Sequence, residues 1–175
     1  SDIHGNAVNL QRIVDFKNEY STYFDDVVCS GDLVAYRSAD GMSFWNGVSG
    51  AEDILICIGN HDALADPSGY DWTQITTQAE QYAAYIAPYY TNWGLSSDVS
   101  SGLTYWYKDY SESGIRLICL NCMLSGTDDA AQQTWFQSAL SGAKTAGYTV
   151  VIMTHCPITG ATAIPSNWTN RDRND

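Results

Sequence analysis

Positive charge is scarce in this sequence. Eight Lys and Arg residues stand against twenty Asp and Glu, giving a formal net charge of −12 and a pI near 4.3. That balance argues against a nucleic-acid backbone held tightly by charge, so nucleic acid is not an expected partner. Long apolar runs are missing too: nothing approaches the roughly 18 to 20 residues of a membrane span. The five cysteines, an odd number, fit no closed disulfide framework and leave the compartment open. Histidine is rarer still, at three: His4, His61 and His155. What is plentiful is apolar residue, 45% of the 175, enough to bury a core and to set disorder aside. The length suits one domain, expected over 1–175.

Periodicity orders the chain. Val8, Leu10, Ile13, Val14 and Phe16 recur at helical spacing in 6–20, and weaker or later helices are expected over 39–48, 71–85 and from Asp128 to Gly142 or Gly147. In 71–85 the inward face is read as Ala79, Tyr82, Ala83 and Ile86; in the last helix it is Trp135, Phe136, Ala139 and Leu140. Compact apolar runs at 27–29, 54–58, 103–108, 115–120 and 148–153 read as strands, the third and fourth as an antiparallel pair. Continuous rather than alternating runs indicate strands covered on both faces, and their interleaving with helices indicates an α/β layered fold.

The polar residues gather where these runs stop. Gly31-Asp32 follows the first run, Gly59-Asn60-His61-Asp62 the second, and Thr154-His155-Cys156-Pro157 the last. Ligands of open α/β sheets bind beyond the carboxyl ends of strands, so separate segments can deliver carboxylate, imidazole and amide oxygen to one edge. Near the start, Asp2-Ile3-His4 places two ligand-type side chains two apart, on one side of an extended backbone. Taken singly, each is more often a loop residue or cap; together they account for every histidine. This donor set suits Mn²⁺, Fe or Zn²⁺ rather than a thiolate-bound metal.

In this order the blocks resemble the calcineurin-like metallophosphoesterase superfamily, whose pattern is Asp-x-His, Gly-Asp, Gly-Asn-His-Asp/Glu, a histidine, and Gly-His-x-His. The resemblance implies a four-layer α/β/β/α sandwich of two mixed sheets flanked by helices. It implies two divalent or mixed-valence metal ions, with Asp2 and His4 on one, Asp32 bridging, and Asn60 and His155 on the other. His61 would protonate the leaving oxygen or clamp the phosphoryl group; Asp62 would orient it, with a helix-start cap as the equal alternative. The implied reaction is hydrolysis of a small phosphomonoester or phosphodiester through a metal-bridging hydroxide. A nuclease of the same superfamily and a catalytically inactive binding or scaffold module are the alternatives.

The chemistry explains the residue types. Phosphoryl oxygens repel a nucleophile, and two dications roughly 3.5 to 4 Å apart offset that repulsion. A shared carboxylate such as Asp32 holds the ions together, and a neutral amide such as Asn60 adds no charge that would weaken their pull. The sequence departs from the superfamily in lacking the Gly-His-x-His block, and both ends read as cut. Neither the Ser/Thr phosphatase nor the purple acid phosphatase signature fits Gly31-Asp32-Leu33-Val34-Ala35-Tyr36-Arg37.

Three further features carry plainer readings. Cys119-Leu120-Asn121-Cys122 has C-x-x-C spacing but no second pair, so both thiols are expected to be core packing, and Cys156 an inert buried thiol. The aromatics of the middle third read mainly as core. The stretch 89–101, turn-like in composition, is the candidate substrate loop.

Overall fold

A computed structural model of the chain describes residues 3–35, 42–64 and 75–156. Helix α1 (Ala7–Glu19) begins where Asn6 caps it, the Asn6 side chain accepting from Asn9 N–H at 3.1 Å. Its buried positions are Leu10 and Val14, while Val8 and Phe16 face outward. Strand β1 (Val28–Cys29) and strand β2 (Leu55–Ile56) pair in parallel, Val28 opposite Leu55. Between them lies the short helix α2 (Ser43–Asn46). Beyond β2 comes a single helical turn, α3 (Asn60–Ala63).

Helix α4 (Gln78–Gln81) starts well inside the expected 71–85. Thr77 and Glu80 form a reciprocal capping box there, and residues 71–74 lie outside the described residues. It runs on into a wider turn, Tyr82–Ile86, closed by Ala87 N–H to the Tyr82 carbonyl at 2.8 Å. The widening moves the inward face. Ile86, expected inward, is buried together with Gln81, Tyr85 and Tyr89, and Tyr82 is partly buried, whereas Ala79 and Ala83, also expected inward, are exposed.

The second sheet holds β3 (Trp106–Tyr110), β4 (Ile115–Cys119) and β5 (Thr149–Met153) in that order, the first pair antiparallel and the second parallel. Helix α5 (Gly126–Ala146) makes the crossover and stops at Gly147, which takes the left-handed conformation at φ +74°. Of its expected inward residues Ala139 is buried and Trp135, Phe136 and Leu140 are partly so; Gln132 and Ala143 complete the buried set. Burial on both faces fits β4 but not β5. Among the described residues β5 is a sheet edge, with Val151 48% and Ile152 40% exposed.

One apolar core joins both sheets, from Leu10 and Val14 through Leu55–Ile58 to Trp106 and Leu117. Trp106 ties them directly, its indole N–H donating to the Ile56 carbonyl at 3.0 Å. Trp45 and Trp93 likewise give their N–H groups to the carbonyls of Ala51 and Glu52. Among the described aromatics of the middle third, Tyr85, Tyr89, Trp93, Tyr105 and Trp106 are buried. Tyr89, Trp93 and Val99 anchor the stretch 89–101 to the core. The architecture is mixed α/β, two sheets with helices, as expected from the interleaved runs.

Candidate metal centre

The ends of β1, β2 and β5, with the turn before α1, meet at one edge. Backbone pairing sets the first approach: His4 N–H donates to the Asp32 carbonyl at 3.0 Å and Gly5 N–H to that of Leu33 at 2.7 Å. His4 and Asp32 both sit at positive φ, +48° and +54°, which costs a non-glycine residue roughly 1 to 2 kcal/mol each. They are the only such residues among those described. Gly31 and Gly59 let the loops touch. A Cβ on Gly31, itself at φ +105°, would lie 2.7 Å from Gly59 N, and one on Gly59 would lie 2.3 Å from Asp32 N and Oδ1.

This close approach concentrates donor atoms. Asp32 is buried, and its carboxylate lies 3.6 Å from His4 Nε2 and 3.4 Å from His155 Nε2. His155 Nε2 is also 2.9 Å from Asn60 Oδ1, and its Nδ1 is 2.9 Å from the Ser30 carbonyl. A carbonyl only accepts, so Nδ1 carries a proton, and Nε2 is the nitrogen that faces the Asn60 and Asp32 oxygens. Imidazole, carboxylate and amide oxygen converging in this way form a donor set that suits a cation.

His61 lies beside this group. Its ring meets that of His4 edge-on with centroids 4.7 Å apart, and ligand atoms of His4, Asp32 and His61 fall within 4.8 Å of one another. Its backbone N–H donates to Asp32 Oδ1 at 3.0 Å, while Nδ1 contacts the Ala35 carbonyl. Of the expected set, His4, Asp32, Asn60, His61 and His155 thus come to one edge; Asp2 lies outside the described residues.

Asp62 is near the centre but differently occupied. It is fully buried, and its oxygens accept from Leu33 N–H at 2.9 Å, Val34 N–H at 3.2 Å and Gly59 N–H at 2.9 Å. It clamps the Asp32 loop to the Asn60 loop. Burial pushes its carboxyl up to about 7 and the Asp32 charge adds to that, against the pull of the three N–H donors.

Sequence reading did not find the carbonyls of Ser30 and Ala35, because a main-chain oxygen leaves no residue-type signal. Nor did it find a neighbouring polar cluster. Asn121 N–H donates to Gln132 Oε1 (2.8 Å), and Asn121 Nδ2 donates to Gln81 Oε1 (2.7 Å) and Thr104 Oγ1 (2.8 Å). Its Oδ1 accepts from Met123 N–H, and its carbonyl accepts from Gln132 Nε2. Cys119 and Cys156 are buried and Cys122 is half-buried, as the packing reading expects, and Cys122 lies against Cys156.

The sequence matches the family model of the calcineurin-like phosphoesterases over residues 1–173, and the chain belongs to that family. No curated protein matches it.

Proposed function

From that membership, we propose that the protein is a metal-dependent phosphoesterase with a dinuclear centre, acting on a small phosphomonoester or phosphodiester. The carrying observation is the convergence of His155 Nε2, Asn60 Oδ1 and Asp32 Oδ1, with His4 Nε2 on the other Asp32 oxygen. Oxygen and imidazole donors of this kind fit Mn, Fe or Zn ions, and the Ser30 carbonyl supplies the outer partner that fixes a ligating imidazole. In this reading Asp2 and His4 hold one ion, Asn60 and His155 the other, and Asp32 both. When bound, the ions supply Lewis acidity and an activated water for attack on phosphorus.

The chain's own groups do the rest. Asp32 is oriented by the His61 backbone N–H, so its carboxylate cannot swing away when substrate enters. His61 holds a proton for the leaving oxygen or clamps the phosphoryl group, and the Ala35 carbonyl at Nδ1 leaves Nε2 as its working nitrogen. Asp62 is a positioning residue that keeps Asp32 and Asn60 in reach of each other. Around this centre we infer one domain over 1–175, with the two sheets as the inner layers of an α/β/β/α sandwich.

The test is hydrolysis of p-nitrophenyl phosphate and its bis ester with Mn²⁺, with and without chelator. Chelator-sensitive release from either ester is the expected result, with His61→Asn slowing turnover while metal stays bound. Metal binding without turnover on both esters would make the chain a binding module instead.

A further inference from the structure

The two thiols that the sequence reading set aside as packing are brought together by the second sheet. In the parallel register of β4 and β5, Cys119 stands opposite Met153, and Leu120 N–H continues the ladder to the Met153 carbonyl at 2.9 Å. Cys122 and Cys156 each lie three residues past that pair (119 to 122, 153 to 156). Neighbouring strands run roughly 4.8 Å apart, inside the span of roughly 4.4 to 6.8 Å between Cα atoms that a disulfide bridges. The sulfurs are in contact at 2.7 Å.

The surroundings favour this pair over the others. Both residues belong to a small apolar cluster with Ala63, Met123 and Ile75, apart from the main core. Cys122 is partly exposed and Cys156 buried, so a reagent meets one thiol while the other waits behind it. Cys119 Sγ instead faces the Ile56 carbonyl, and Cys57 Sγ the Leu120 carbonyl at 3.3 Å; both are fully buried.

We propose that Cys122 and Cys156 form a modification site, a dithiol that closes to a disulfide by exchange with a small-molecule disulfide. Cys122 Sγ attacks one sulfur of that reagent, forming a mixed disulfide and releasing one thiol. Cys156 Sγ then attacks Cys122 Sγ and releases the second thiol. The cysteines lose two electrons and two protons, and the reagent takes both up. The bridge staples the loops that follow β4 and β5, directly beside His155. It closes a loop between residues 34 apart, so the oxidised form unfolds at a higher temperature. None of this depends on metal binding.

The experiment treats the protein with oxidised glutathione, blocks remaining thiols, digests with trypsin and reads linked peptides by fragment mass spectrometry. Cleavage after Arg116, Lys144 and Arg171 puts Cys119 and Cys122 on peptide 117–144 and Cys156 on 145–171. The expected result is a linked pair whose fragments place the bond at Cys122, depleted at least about tenfold in Cys122→Ser and retained in Cys119→Ser. A melting midpoint several degrees above that of the reduced protein accompanies it. Absence of the linked pair in the wild-type protein, or fragments placing the bond at Cys119, overturns the proposal even if the variants fail to fold.

Discussion

The candidate metal edge and the cluster around Asn121 are both polar groups held between elements, but they are finished in opposite ways. Around Asn121 donors meet acceptors: its N–H, amide and carbonyl groups all have partners on Gln81, Thr104, Met123 and Gln132. At the edge, His155 Nε2 and the oxygens of Asn60 and Asp32 converge from three loops, and two residues hold left-handed backbone. A complete network stabilises a fold and asks for nothing more. Converging ligand-type atoms on a strained backbone mark a place built for something added later.

The contrast breaks first at Asp32. Asp32→Asn removes the one carboxylate facing both His4 and His155, and several kcal/mol of catalysis with it, so Mn²⁺-dependent ester hydrolysis should fall roughly a thousandfold. The melting midpoint without metal should stay within a few degrees of wild type. A variant with unchanged turnover would remove Asp32 from the centre.

Gly59→Ala comes next, since its Cβ would overlap Asp32 N and Oδ1. We expect about 3 kcal/mol of lost stability in urea and no calorimetric signal for Mn²⁺. Wild-type values for both would mean that the two loops are not in contact.

Asn121→Ala should show the other half of the comparison. It strands the Met123 N–H and the partners on Gln81 and Thr104, costing about 2 kcal/mol, yet leaves metal affinity unchanged. Loss of metal binding at preserved fold would couple regions described here as separate.

A further effect, confined to alkaline pH, arises at Cys29, whose thiol faces the Gly31 carbonyl just before Asp32. Burial pushes this thiol up to about 11 from 9.0. The folded state therefore resists ionisation that the unfolded chain undergoes. Stability is full below pH 9 and is lost as pH rises from 9 to 11, by about 2 to 3 kcal/mol. Urea titrations at pH 8 and 11 should show a smaller drop in Cys29→Ala than in wild type. Equal drops would assign the alkaline loss to other groups.

Much of this was legible from residue order. The run 27–29, the first helix, the antiparallel pair (expected at 103–108 and 115–120, found at 106–110 and 115–119) and a long helix ended at Gly147, one of the two glycines expected, all follow from local pattern. So do the places of His61 and His155, just past apolar runs and hence at the carboxyl ends of β2 and β5. The inward face around 78–89 was only partly legible: Ile86 is buried as expected, but Ala79 and Ala83 are not. A buried Gln81 breaks the apolar pattern, and it is tolerated only because Asn121 and the Thr76 carbonyl arrive from elsewhere in the chain.

Sequence by itself determined which side chains could bind a cation, since ligand chemistry belongs to residue type and strand ends are written in short-range hydrophobic pattern. Tertiary structure alone decided that Asp62 serves the backbone and that Ser30 fixes the His155 ring. It also decided that Cys122 meets Cys156 rather than its near neighbour Cys119. Those are contacts between residues far apart in the chain or through main-chain atoms, and neither distance in space nor a carbonyl's direction is encoded in any local run of letters.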